Sequence, residues 1–156
     1  MKRDKDGKKI FTPFRTQRLD LKTGKAIETI DIDIASDMRI GQDLRKELRE
    51  SMTRWMWYAQ LKEHAHTAMK QERYRQHKIF EDVYDNLRML NPKLSETQVK
   101  NKVHCSEEWR RQTEKYMRWR DRYRMLHELC IALKERNDNL RTLESSERRE
   151  RDGHYE

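Results

Sequence analysis

This chain is short of everything that makes loops and sheets. Its 156 residues include only four glycines and two prolines, which argues against a loop-rich or β-rich fold and for long helices with wide solvated faces. The two cysteines, Cys105 and Cys130, stand in no CxxC or multi-cysteine pattern, so reduced thiols are expected rather than a disulfide or zinc framework. Hydrophobic residues make up 34%, little for a monomer to build a core from, so self-association is expected. No apolar run approaches the roughly 18–20 residues that cross a bilayer. The charged N-terminus lacks the apolar segment of a signal peptide. No membrane partner and a cytoplasmic location are therefore expected.

Catalytic signatures are equally scarce. There is no phosphate-binding glycine loop, no HExxH, and no Ser or Cys nucleophile with a placed base. His64 and His66 lie two apart on a helix and point roughly 200° apart, so they do not chelate together. His127 and Cys130 are i, i+3, but two ligands make no zinc site. The expectation is no enzyme, no catalytic residue, no metal and no cofactor.

What the chain has is charge and periodicity. Charged residues make up 41%, with a net charge of +8. By direct count, residues 1–25 carry about +6, 62–78 about +3 and 100–124 about +5; such patches suit a polyanion. From Trp109 to Leu140 a heptad seam runs without a Gly or Pro: Trp109, Gln112, Tyr116, Trp119, Tyr123, Leu126, Cys130, Leu133, Asn137, Leu140. So narrow a stripe needs another helix, from this chain or from another copy. Trp119, Tyr123, Leu126, Leu133 and Leu140 are the candidate oligomer interface.

In order, residues 1–9 read as disordered and 10–34 as a β-hairpin turning at Lys22-Thr23-Gly24-Lys25, Gly24 able to take φ > 0 and Pro13 restricting the first strand to an edge or delaying its start. Ile30, Ile32 and Ile34 alternate with Asp31 and Asp33, as a half-buried strand with a solvated acidic face would. Ser36 or Asp37 is the expected cap of a helix reaching about Leu90. Asn91-Pro92 ends it. Ser95-Glu96-Thr97-Gln98 has the form of a capping box opening a short helix with Val99 and Val103, and Ser106 caps the last helix. After about Leu143 the Ser/Glu/Arg sequence reads as frayed or disordered. The expected organisation is a basic segment with a hairpin (1–35), a helical domain (36–143) and a charged tail (144–156). The fold class is all-α, coiled-coil-like, with a small N-terminal β-hairpin.

Two cation clusters are the candidate DNA-binding residues. In the first long helix Lys62, His66, Lys70, Arg73 and His77 share a face, with Tyr74, Arg75 and Lys78 beside them. In the last, Arg111, Lys115, Arg118 and Arg122 form a ridge beside the seam, widened by Arg110, Arg120 and Arg124. Regularly spaced cations can track phosphates, and aromatics among them can stack bases. The competing reading is a solvated face neutralised by partners such as Glu114 or Asp121. Trp109, Tyr116, Trp119 and Tyr123 sit on the seam, so packing is their first role and base stacking the second. With no recognition-helix, zinc-finger or RNP-type signature, binding should be electrostatic and poorly sequence-specific.

The segment from Leu90 to Val103, followed by a long helix ending at Leu129 to Leu140, resembles the UvsY-like phage recombination mediator family over roughly residues 37–143. Ser95, Glu96, Lys100 and Val103, then Arg136 and Leu140, carry the likeness. It implies a small helical protein that forms ring-like homo-oligomers and binds single-stranded DNA. Such a protein acts on the complex with single-strand DNA-binding protein and helps load a RecA-like recombinase, in the host bacterial cytoplasm. The hairpin stands outside this pattern. Glu81, Asp82 and Asp85 replace cations late in the first long helix, which moves the expected DNA contact to the two clusters above. Two rivals are a self-assembling structural protein without a DNA role, and a helical protein binding RNA or double-stranded DNA non-specifically.

Overall fold

The computed structural model describes residues 14–20, 26–38, 41 and 43–152; the expectations for residues 1–9, Pro13 and the Gly24 turn lie outside them. The order is β1 (Phe14–Leu19), β2 (Ala26–Ile32), α1 (Ile34–Asp37), α2 (Leu44–Leu90), α3 (Glu96–Cys105) and α4 (Glu107–Asp152). This is the all-α architecture with a small N-terminal β-hairpin that the composition predicts. The chain divides into two compact units. Unit 1 comprises residues 1–61 and 126–156, and unit 2 residues 62–125. Each long helix contributes to both.

In unit 1, β1 and β2 pair antiparallel from Phe14 opposite Ile32 to Leu19 opposite Ala26, with an irregularity at Arg18 and Leu19. The alternation in β2 is as read: Ile32 is buried, Ile30 and Ile34 half-buried, Asp31 and Asp33 exposed. Asp33 then caps α1, its side chain accepting from the Ser36 N–H at 3.2 Å. The long helix does not start at Ser36 or Asp37. It starts at Leu44, after a break containing Gly41, because Asp43 is its cap: Oδ1 accepts from the N–H groups of Arg45 (3.1 Å) and Lys46 (3.0 Å). The Lys46 N–H in particular holds the Asp43 carboxyl below its ordinary pKa, as orphan donors at a helix start do.

The α2 and α4 portions of unit 1 run antiparallel: Arg45 pairs with Glu144 at 3.3 Å and Ser51 with Asn137. Leu126, Leu129, Cys130, Leu133 and Leu140 bury the seam, as do Tyr58 and Leu61 from α2. Among these apolar groups lies a polar cluster. Arg136, its side chain 4% exposed, donates to Glu47 Oε2 at 2.6 Å and to Ser51 Oγ at 2.7 Å, while the Ser51 hydroxyl donates to Asn137 Oδ1. The Arg136 hydrogen bond, opposed by burial, keeps the Glu47 carboxyl below its usual pKa. Tyr58, buried, donates to Asp37, which ties α1 to α2; burial first, and that hydrogen bond second, raise the phenol pKa far above normal. α4 continues through Asp152 rather than fraying after Leu143. The pairs Glu144–Arg148 (2.8 Å) and Glu147–Arg151 (3.5 Å) are at i, i+4, in the favourable acid-first order.

In unit 2, α2 ends at Leu90 before Asn91-Pro92, and Arg88 donates to the Leu94 carbonyl at 3.0 Å. The Ser95/Gln98 capping box forms as read, and Val99 and Val103 are fully buried. Ser106 Oγ accepts from the Trp109 N–H at 3.3 Å, opening α4. Here too α2 and α4 are antiparallel. Gln112, buried, donates to the Glu72 carbonyl (3.0 Å) and carboxylate (2.6 Å), and Gln76 donates to Thr113 at 2.7 Å. Phe80, His104 and Trp109 form a ring cluster with centroids 5.0–5.6 Å apart, within the range of favourable edge-to-face packing.

The seam is therefore closed inside one chain. Trp119, Leu126, Leu133 and Leu140, expected between subunits, are buried here, and Tyr123 is half-buried against His66. The physical reason is length. α2 has 47 residues and α4 has 46, so α2 supplies the partner helix that the stripe requires.

Candidate nucleic-acid interface

All twelve candidate cations lie in unit 2, on α2 and α4. At about 100° per residue, Lys62, His66, Lys70, Arg73 and His77 form one flank of α2, and Arg75 and Lys78 lie on the other. On α4, Arg120 and Arg124 fall on one flank, and the ridge Arg111, Lys115, Arg118, Arg122 on the opposite one. Contacts between the helices fix which flanks adjoin. His66 stacks on Tyr123 at 4.8 Å and Gln76 meets Thr113 on one side; His64 packs edge-on against Trp119 at 6.2 Å on the other. The Lys62–His77 stripe thus shares a side with Arg120 and Arg124. The α4 ridge shares the opposite side with Arg75 and Lys78. The two clusters read from the sequence do not merge into a single surface.

Their electrostatics differ as well. On α4, Arg111 pairs with Glu107, Arg118 with Glu114 (3.3 Å) and Arg120 with Asp121 (3.5 Å), so the acids named above as neutralising partners, Glu114 and Asp121, do pair there. Arg122 lies over the Trp119 ring at 4.7 Å, a cation–π arrangement; burial, then Arg118 nearby, lower its guanidinium pKa. Arg110, Lys115 and Arg124 are exposed. On α2, Lys62 pairs with Glu63 at 3.2 Å, and His66 Nδ1 lies 3.8 Å from the same carboxylate.

Between Lys70 and Lys78 the balance changes. Lys70, Arg73, Arg75, His77 and Lys78 are all exposed, and the single acid, Glu72, is buried. It is turned inward to Gln112 and held also by Arg75. Lys70, Arg73 and Lys78 make no ion pair among the described residues. Across this nine-residue arc four cations reach solvent: Arg75 is paired with Glu72, Lys78 has the exposed Glu81 and Asp82 at i+3 and i+4, and Lys70 and Arg73 have no carboxylate at i±3 or i±4. Exposed pairs such as those on α4 contribute about 0–1 kcal/mol each, so a phosphate can compete for the ridge; among the described residues it meets cations without an ion pair at Lys70, Arg73 and Lys78 on α2 and at Arg110, Lys115 and Arg124 on α4.

The aromatic seam offers little to a ligand. Trp119 is buried, and Trp109, Tyr84 and Tyr123 already pack against rings or Arg88. Tyr74 is the exception, at 73% exposed; the signal for it was its place among Lys70, His77 and Lys78 at i−4, i+3 and i+4.

Among the described residues no group of three or more His, Cys, Asp or Glu is placed to hold a metal ion, and no helix is long and apolar enough to cross a membrane. Cys105 is exposed and Cys130 buried. No protein-family model, characterised protein or solved structure matches the chain.

Proposed function

We propose that this chain is a non-catalytic single-stranded DNA-binding protein, and that it works as a recombination mediator, easing exchange of single-strand DNA-binding protein for a RecA-like recombinase. The observation that carries the DNA reading is the α2 arc from Lys70 to Lys78, with four exposed cations and its one acid turned inward. The mediator role rests on the family resemblance at Ser95, Glu96, Lys100, Val103, Arg136 and Leu140. Binding by such an arc is dominated by counterion release and carries little sequence preference. Four phosphate contacts imply a slope of about −3 in log affinity against log salt. Because the heptad seam is closed within the chain, the homo-oligomer that the resemblance implies has to be built on other surface. Several linked copies would then raise the affinity through effective concentration.

The test is binding to a fluorescent oligothymidylate at roughly 50 and 200 mM salt, with duplex as competitor. A steep salt slope with poor duplex competition supports the reading. No binding at the lower salt refutes it and leaves the cations as solvated faces. Release of single-strand DNA-binding protein from the same oligonucleotide, on adding this chain and a RecA-like recombinase, tests the mediator step separately.

A further inference from the structure

Tyr74 has a setting unlike that of any other described aromatic residue. Of the aromatic side chains described, only Trp57 (40%) and Tyr74 (73%) are exposed. Trp57 packs edge-on against Tyr58 with centroids 4.8 Å apart. Tyr74 has no ring partner, hydrogen bond or ion pair among the described residues. A single exposed aromatic is ordinary on a protein surface; its neighbours here are not. On a helix the closest surface neighbours lie at i±3 and i±4. For Tyr74 these are Lys70, Gln71, His77 and Lys78, with Arg73 and Arg75 adjacent in sequence. The ring stands between Lys70 and Lys78, neither of which makes an ion pair among the described residues. It projects from a continuous helix, so its position is held by backbone rather than by a loop.

We infer that Tyr74 is a stacking platform for an unpaired base of single-stranded DNA whose phosphates are held by Lys70 and Lys78. The inference rests on the DNA-binding reading above and adds to it the residue that selects single strand over duplex. Cations alone attract both forms. A ring with an open face rewards only a base that has left its stack, and does so whatever the base. Lys70 and Lys78, one turn to either side, are spaced to hold the flanking phosphates. In duplex DNA the bases are stacked on one another and the ring has nothing to cover.

The experiment compares the full chain with Tyr74→Ala, Tyr74→Phe and the double variant Lys70→Glu with Lys78→Glu. Each is titrated against labelled oligothymidylate, oligouridylate of equal length and a duplex, across a salt series. Tyr74→Ala is expected to weaken oligothymidylate binding roughly five- to one-hundred-fold, with an unchanged salt slope and unchanged duplex affinity. Tyr74→Phe keeps the affinity. The double charge variant lowers the slope and weakens both DNA forms. Wild-type affinity in Tyr74→Ala, while the charge variant fails, overturns the stacking role and leaves the cation reading standing. Equal loss in Tyr74→Phe and Tyr74→Ala overturns it in favour of the hydroxyl. Tighter wild-type binding to oligouridylate than to oligothymidylate overturns the commitment to DNA. Absence of any binding by the wild type overturns both readings.

Discussion

In unit 1 the two long helices meet around an arginine; in unit 2 they meet around rings and a glutamine–glutamate pair. Arg136 is taken out of solvent and spent on Glu47 and Ser51. The cations of unit 2 stay at the surface, while its interior is filled by Trp119, Val99, Val103 and the Phe80–His104–Trp109 cluster. The same residue type therefore means different things in the two units. A buried arginine held by a carboxylate and a hydroxyl ties two helices together, whereas the exposed cations of unit 2 are left facing solvent. Total charge cannot separate these cases; position relative to the carboxylates does.

Removing the buried cation should produce the largest effect. Arg136→Met leaves Glu47 and Ser51 without their common donor and is expected to cost about 3–5 kcal/mol in urea unfolding, while single-strand binding by the folded protein is unchanged. Comparable loss from Arg118→Met would break the contrast between the units. Next, Leu133→Ala in the closed seam should cost about 2–5 kcal/mol. Its unfolding midpoint should not depend on protein concentration; a strong dependence would return the seam to an interface between copies. Third, Lys70→Glu with Lys78→Glu should lower the salt slope by about 1.4. Arg111→Glu with Arg118→Glu should change it less, because Glu107 and Glu114 already neutralise those arginines. Equal effects would mean that arc and ridge present equivalent charge to the strand.

The smallest effect is on pH dependence. Glu47 has a folded pKa below its ordinary value, chiefly through Arg136. Its contribution to stability is therefore fully present above the unfolded glutamate pKa of about 4.3 and is lost as pH falls through the lower folded value. Urea midpoints measured below about pH 4.5 should fall less steeply for Glu47→Gln than for the wild type. Parallel acid limbs would remove Glu47 from the account.

Much of this was legible in the residues. The seam at Leu126, Leu133 and Leu140, the hairpin alternation at Ile30 and Ile32 and the Ser95 capping box follow directly from spacing. Spacing states that a stripe needs a partner helix, but not whose, and so Trp119, Leu126, Leu133 and Leu140 were assigned to a second copy. The start of α2 was missed because Ser36 and Asp37 are as good caps by type as Asp43; the break containing Gly41 was the available signal. Burial of Arg136 had no sequence signature, since charged residues are rarely inside. The pairing of Arg118 with Glu114 was foreseeable from i, i+4 spacing. The inward turn of Glu72 was not, because it depends on Gln112, 40 residues away.

The division into units also bears on the order in which the molecule is made. Unit 2 is one uninterrupted stretch, residues 62–125, with Gln76 and Thr113 only 37 residues apart. Unit 1 joins the two ends of the chain, and Glu47 and Arg136 are separated by 89. Closing the longer span costs only about 0.6–1 kcal/mol more, but on a ribosome it waits for the C-terminal residues to emerge. Synthesis is thus expected to complete the cation-bearing unit first and the arginine-locked one last.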